Sequence, residues 1–251
     1  MPGIYGMAGL TISVTAIFCI TFLHTLTRSD RRYDWLILAG LPLPFIVNRW
    51  VKIPVITGLA AWMNLPLKLG PDMPFWFLVL ILLNAPLFEE AIKLVPLALP
   101  GSRTFLSDAK SSLWAGLALG MGFGLGEAAY LAYGIAQSPA YRGLPWYSFT
   151  GFASERLIVT FAHGFLTAIG AYGLRRGGPK ALFGYLSAVG LHALINLGPI
   201  LLALRLLSAA VSSLTTYTVI AASFFLFQKY ASTARKMSSS PPEEIVYFER
   251  G

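Results

Sequence analysis

The sequence predicts an all-α fold, a polytopic transmembrane helical bundle of about seven spans. Three observations predict it. Of 251 residues, 56% are hydrophobic, only 12% are charged, and the mean hydropathy is +0.66. A soluble domain carries about a quarter charged residues. Gly 24 and Pro 16 are near ordinary usage, so the chain is neither fibrous nor low-complexity. This balance sets aside soluble enzymes, secreted disulfide scaffolds and autonomous nucleic-acid readers. The single cysteine, Cys19, cannot form an internal disulfide. The net charge of +8 is then a matter of topology and lipid headgroups rather than a nucleic-acid footprint, and no nucleic-acid partner is expected.

A spanning helix needs roughly 20 apolar residues. Seven candidates meet or approach this: Ile4–Leu26, Trp35–Val47, Pro74–Leu99, Leu113–Ala136, Leu157–Leu174, Ala181–Leu204 and Leu206–Phe227. The second is short and holds Pro42 and Pro44. The apolar stretch Pro54–Leu67, bracketed by Pro54 and Pro66, is too short for an ordinary span and reads as interfacial or re-entrant. With the N-terminus outside, twelve basic residues fall inside (Arg28, Arg31, Arg32, Arg103, Lys110, Arg175, Arg176, Lys180, Lys229, Arg235, Lys236 and Arg250). Six fall outside: Arg49, Lys52, Lys68, Arg142, Arg156 and Arg205. That bias predicts N-out, C-in. No basic n-region or small-residue cleavage site marks a signal peptide. The expected organisation is one transmembrane domain over 1–230, with a motif-bearing core at 84–196. A polar, mobile cytoplasmic tail is expected over 231–251, with a Ser run, Pro241 and Pro242.

Charged groups inside a bilayer cost at least ~2.5–3.5 kcal/mol each, so they mark function by default. The third span reads Asn84-Ala-Pro-Leu-Phe-Glu89-Glu90-Ala-Ile-Lys93. Glu89 and Lys93, four apart, share a face and are expected to pair. Glu90 is turned about 100° away, so one acid can be neutralised while the other faces a cavity. Pro86 is expected to bend the helix beside them. In the fourth span Gly116, Gly120 and Gly124 form one stripe and Gly122 and Gly126 another, which suits close helix contacts in lipid. Glu127, at the end of this run, is not explained by packing. The fifth span carries Arg156, read as a snorkelling anchor, and His163 two turns on. In the sixth, His192 and Asn196 are four apart on one face. His24, at the inner end of the first span, has no acid pattern around it and reads as interfacial.

Acids, a lysine, two histidines and an asparagine thus recur on four successive spans. This inventory suits general-base activation of water with oxyanion stabilisation. It suits two-His-plus-carboxylate metal binding equally well. Neither an HExxH helix nor a GxSxG elbow is present.

The ordered motifs are Glu89-Glu90-x-x-Lys93, the glycine run ending in Glu127, Arg156 with His163, and His192-x-x-x-Asn196. They resemble the PrsW family, within the superfamily of CAAX prenyl endopeptidases and bacteriocin-processing membrane proteases. The resemblance covers Asn84 to Asn196. It departs at Ala128, which follows Glu127, and in its tyrosines, Tyr130 and Tyr133. It implies an intramembrane endopeptidase of a prokaryotic cell membrane, whose substrate is a membrane-anchored protein such as an anti-sigma factor. Carried over, Glu89 is the water-activating base, Glu90 its acidic neighbour and Lys93 their orienting cation. His192 and Asn196 would bind the oxyanion, while Glu127 and His163 complete the water site. A divalent metal such as zinc, held by Glu127, His163 and His192, and a metal-free water held by Glu89 both account for these residues. Two other classes use the same groups: a proton-coupled transporter, and a non-catalytic scaffold or immunity protein of the same fold.

Overall fold

The structure, a computed structural model, describes residues 2–67, 70 and 73–239. Among them there is no strand. Seven helical runs are long and apolar enough to cross a membrane. The first is α1, Gly3–Thr27. The second is a composite 32-residue run, Arg31–Trp62. Within it lie α2 (Asp34–Gly40), α3 (Leu43–Val47), a π-helical turn at Asn48–Lys52, and α4 (Ile53–Trp62). Five continuous helices follow: α5 Phe75–Ala98, α6 Ala109–Gln137, α7 Thr150–Arg176, α8 Gly178–Ala203 and α9 Ala209–Ser239.

The composite run corrects the expected layout. Pro54–Trp62 is the second half of the same crossing that begins before Trp35, not a separate interfacial or re-entrant piece. Proline lacks an N–H, yet its fixed φ suits the first turn of a helix, where no intrahelical donor is needed. Pro44 and Pro54 stand at such positions in α3 and α4, and the π turn between these helices absorbs the change of register. The count of seven is unchanged, but Arg49 and Lys52 move from a loop into a span. Lys68 and Arg250, two of the expected loop and tail cations, lie outside the described residues. The expected tail is helical through Ser239, with Ala231 and Ala234 buried against the bundle; its remainder also lies outside the described residues.

Helix α6 starts where Asp108 caps it, accepting from the backbone N–H of Lys110 and Ser111 at 2.9 Å each. Burial opposes the charge on Asp108. Hydrogen bonds from Ser111, Lys110 and Ser107 nevertheless hold its carboxyl below the usual carboxylate range. Across α6 and α7, 78% of the apolar window is buried, against 22–39% for the other spans, so these two helices form the centre of the bundle. The two glycine stripes of α6 face different neighbours. Gly116, Gly120 and Gly124 meet α7 at Thr167–Ala168, His163 and Thr160, whereas Gly122 and Gly126 meet the second span at Ile37 and Leu41. A side chain at Gly120 would meet the backbone carbonyl of His163. The stripe therefore does more than allow close packing: it sets the depth of His163. His24 is not isolated either. Its Nε2 lies 2.9 Å from Asp34 Oδ1, an acid supplied by the start of the second span.

Gly122→Val places a branched side chain against the Ile37 backbone. Overpacking of this kind costs ~1–3 kcal/mol. Thermal unfolding in detergent is expected to show a lower midpoint for Gly122→Val and none for Gly134→Val, since nothing lies within 4 Å of a Cβ at Gly134.

Candidate active site

The buried charges converge. Helix α5 contributes Glu89, Glu90 and Lys93, with side chains 1%, 1% and 0% exposed. Helix α6 adds Glu127, α7 adds Arg156 and His163, and α8 adds His192 and Asn196. Their spacing along each helix brings one face of every span to the same depth. Helix α5 stays continuous through Pro86 and Pro96. Its Leu87 carbonyl accepts a hydrogen bond from the Tyr185 hydroxyl at 2.8 Å, which ties α5 to α8 beside the acids.

The pairing differs from the expected one. Lys93 neutralises Glu90, with Nζ 2.5 Å from Oε1, and not Glu89. Residues three and four apart share a helix face equally well, so the neighbours decide. Lys93 is drawn to the side of Glu90 by His163 Nδ1 at 3.1 Å and by the face of Phe123, 4.8 Å from its nitrogen. Glu89 pairs with Lys52, from the π turn of the second span. The Lys52 carbonyl accepts from Asn84 Nδ2 at 3.3 Å, which anchors that turn to α5.

From these contacts the proton positions follow. An ammonium only donates, so His163 Nδ1 accepts from Lys93 and Nε2 carries the proton, which it donates to Glu127 Oε2 at 3.1 Å. His192 donates through Nδ1 to Glu90 Oε1 at 2.6 Å. That leaves His192 Nε2 facing Glu89 Oε2 at 3.8 Å. Glu89 Oε2 is buried without a hydrogen-bond partner. Arg156 is not a snorkelling anchor. It is 8% exposed and points inward, holding Glu127 Oε2 at 2.8 Å and Glu155 Oε1 at 2.7 Å. Two acids within reach make an inward path cheaper for the guanidinium than a lone path to the headgroups.

A cavity of about 170 Å³ reaches into this network. Lys52, Glu89, Glu127, Arg156, His163, His192 and Asn196 line it, with Ala162, Leu166 and Ile195 among its apolar walls. It extends to Glu155, which is half exposed and marks its mouth. Glu90 and Lys93 stand behind it. Of the two adjacent acids, Glu89 is therefore the one that lines the cavity. Five of the seven expected site residues, Glu90, Lys93, Glu127, His163 and His192, form one hydrogen-bonded chain; Glu89, paired with Lys52, lines the cavity beside it, as does Asn196 one turn beyond His192. Tyr130 packs on Phe45 instead, and Tyr133 is exposed.

Ligand atoms of Glu89, His163 and His192 all lie within 4.8 Å of one another, so this group could hold a metal ion. Glu127, expected in such a set, has its Oε2 held by Arg156 and His163. Two of the donors are ready, the orphaned Glu89 Oε2 and His192 Nε2. His163 joins only by exchanging Lys93 or Glu127, since both its ring nitrogens are engaged.

Lys52 is the site residue that the motifs miss, while Arg156 stands in them but was expected to be an anchor rather than part of the site. For Lys52 a signal existed: once Pro54–Trp62 is read as part of the second span, a lysine in mid-crossing is itself conspicuous.

Fold and site define a multi-pass integral membrane protein with an acid–histidine centre buried in its helical bundle. A family model described as PrsW family intramembrane metalloprotease matches residues 35–227. The chain belongs to that family. No curated protein and no solved structure gave a match.

Removing one partner of a buried ion pair strands the other charge, at about 3–5 kcal/mol. Lys93→Met is expected to lose that much stability in detergent unfolding. Glu90→Gln in the same chain is expected to restore the larger part.

Proposed function

We propose that the chain is an intramembrane endopeptidase in which Glu89 activates water against a peptide bond of a membrane-anchored protein, an anti-sigma factor being one such substrate. The observation that carries this reading is the orphaned Glu89 Oε2, buried on a side chain that lines a cavity together with His163 and His192. Water in the cavity gives a proton to Glu89 Oε2 while its oxygen bonds to the carbonyl carbon. The resulting oxyanion takes hydrogen bonds from Asn196 and from the His192 ring. The carbon–nitrogen bond then breaks and Glu89 returns its proton to the departing amine, so atoms and protons balance. A carboxylate within hydrogen-bond reach of a water serves as its general base, and aligned donors in a site shielded from bulk water stabilise developing charge strongly.

Arg156 and Lys93 are positioning groups in this scheme. Arg156 holds Glu127, Glu127 holds His163, and Lys93 fixes both the His163 tautomer and the Glu90 carboxylate that orients His192. A divalent cation such as zinc would be held by Glu89, His163 and His192, and would supply Lewis-acid polarisation of the carbonyl and of bound water. An N-out, C-in orientation in a prokaryotic cell membrane accords with the loop charges, the more so with Lys52 and Arg156 turned into the bundle. The cavity mouth at Glu155 then faces the outer leaflet. The domain division at about residue 230 and the catalytic roles above belong to the same proposal.

A transporter would move protons through these groups, and a scaffold would be indifferent to their loss. Glu89→Gln keeps the side chain's shape and removes the base. Mass spectrometry of peptides released from membranes is expected to show products with the wild type and about 100–10,000-fold less with Glu89→Gln, compared at equal amounts of folded protein. Undiminished product from that variant would remove Glu89 from the base role.

A further inference from the structure

We infer that Lys52 is a built-in competitor of the divalent cation for Glu89, and that it sets how tightly the site holds a metal. The inference rests on the reading that Glu89, His163 and His192 form the metal-binding group. Three observations support it. First, the ammonium of Lys52 is ion-paired to Glu89 Oε1, on a side chain only 14% exposed, and so occupies one oxygen of a carboxylate that a cation needs. Second, the inner cluster is already balanced. Its carboxylates, Glu89, Glu90 and Glu127, face three cations, Lys52, Lys93 and Arg156. A divalent ion added to that set leaves a surplus of positive charge in a poorly solvated site, where like charges repel strongly. Third, the three cations are not equally removable. Lys93 is 0% exposed behind the cavity, held by Glu90, His163 and the Phe123 ring. Arg156 is committed to two acids at the mouth. Lys52 alone of the three lines the cavity with a single acid partner, and it hangs from a π turn. Such turns are irregular insertions in a helix and recur at functional sites.

When a divalent ion takes Glu89, Lys52 is therefore the cation that yields, swinging along the cavity toward its mouth. Affinity for the metal is reduced by whatever the lysine–glutamate pair contributes. Lys52 would thus be a positioning residue for Glu89, not a ligand.

The sign of the effect separates this role from a structural one. Losing a structural residue weakens metal binding, whereas losing a competitor tightens it. The full-length wild type, Lys52→Met, Lys52→Arg and Glu89→Gln proteins are purified in detergent and freed of metal with chelator. Each is titrated with Co²⁺, read by its d–d absorption, and with Zn²⁺, read by calorimetry. Lys52→Met is expected to bind both ions about 10–100-fold more tightly than wild type, the range over which groups behind the ligands tune affinity. Lys52→Arg keeps the charge and is expected to stay near wild type, and Glu89→Gln to lose most binding. Lys52→Gln serves as a second neutral variant, with thermal unfolding reporting the fold of each. Equal or weaker binding by the neutral variants that remain folded overturns the competitor role and leaves the metal group standing. Absence of Glu89-dependent binding in every folded variant overturns the metal group, and this inference with it.

Discussion

Carboxylates buried in a lipid-facing bundle must be matched charge for charge. An isolated ion in a medium of low dielectric costs many kcal/mol, and a helix in hydrocarbon has no water to share the cost. Here Glu89, Glu90 and Glu127 are answered by Lys52, Lys93 and Arg156, each cation coming from a different crossing. The matching binds together elements that apolar packing alone would leave free to slide. The second span is joined to α5 through Lys52, and α6 to α7 through Arg156. The histidines complete the circuit by joining α5 to both α7 and α8.

Such a network requires that helix backbones approach closely, since lysine and arginine reach only a few ångströms past their own helix. Glycine supplies that approach. Helix α6 is flat on two sides, one toward α7 and one toward the second span. Gly120 lies against the backbone of His163, so the ring that accepts from Lys93 and donates to Glu127 is held at a depth set by a residue with no side chain. Packing and chemistry are thus a single constraint on α6. In a bilayer, where there is little hydrophobic drive between helices, close contact and interhelical hydrogen bonds are the main sources of specificity.

Much of this was legible in the sequence because helical periodicity projects spacing onto faces. His192 and Asn196, one turn apart, both line the cavity, and the two glycine stripes serve two neighbours. Periodicity ends where a choice depends on another helix. Glu89 and Glu90 were equally placed to take Lys93, and only the positions of His163 and Phe123 in space decide for Glu90. Arg156 looked like an anchor because its height in the membrane was readable and its direction was not. Lys52 was hidden by proline: Pro42, Pro44 and Pro54 suggest ends of helices, but at first-turn positions they are compatible with one long crossing. His24 shows the same limit at the inner surface, where its acid, Asp34, lies ten residues away across a turn.

On the proposed mechanism the charge balance also accounts for two adjacent acids where one would serve as a base. Glu90 holds both Lys93 and the Nδ1 proton of His192 through Oε1, and it stands behind the cavity rather than in its lining. Glu89 is spent only in part, with Oε1 on Lys52 and Oε2 unpartnered. A single glutamate would have to hold the imidazole and receive a proton with the same group, and each proton received would release the ring it positions. Dividing the two tasks between neighbours about 100° apart on the helix keeps His192 fixed while the charge on Glu89 changes. On the proposed mechanism the pair is thus a division of labour between a carboxylate that positions the imidazole and one that takes the proton from water, and Lys93 holds the first without touching the second.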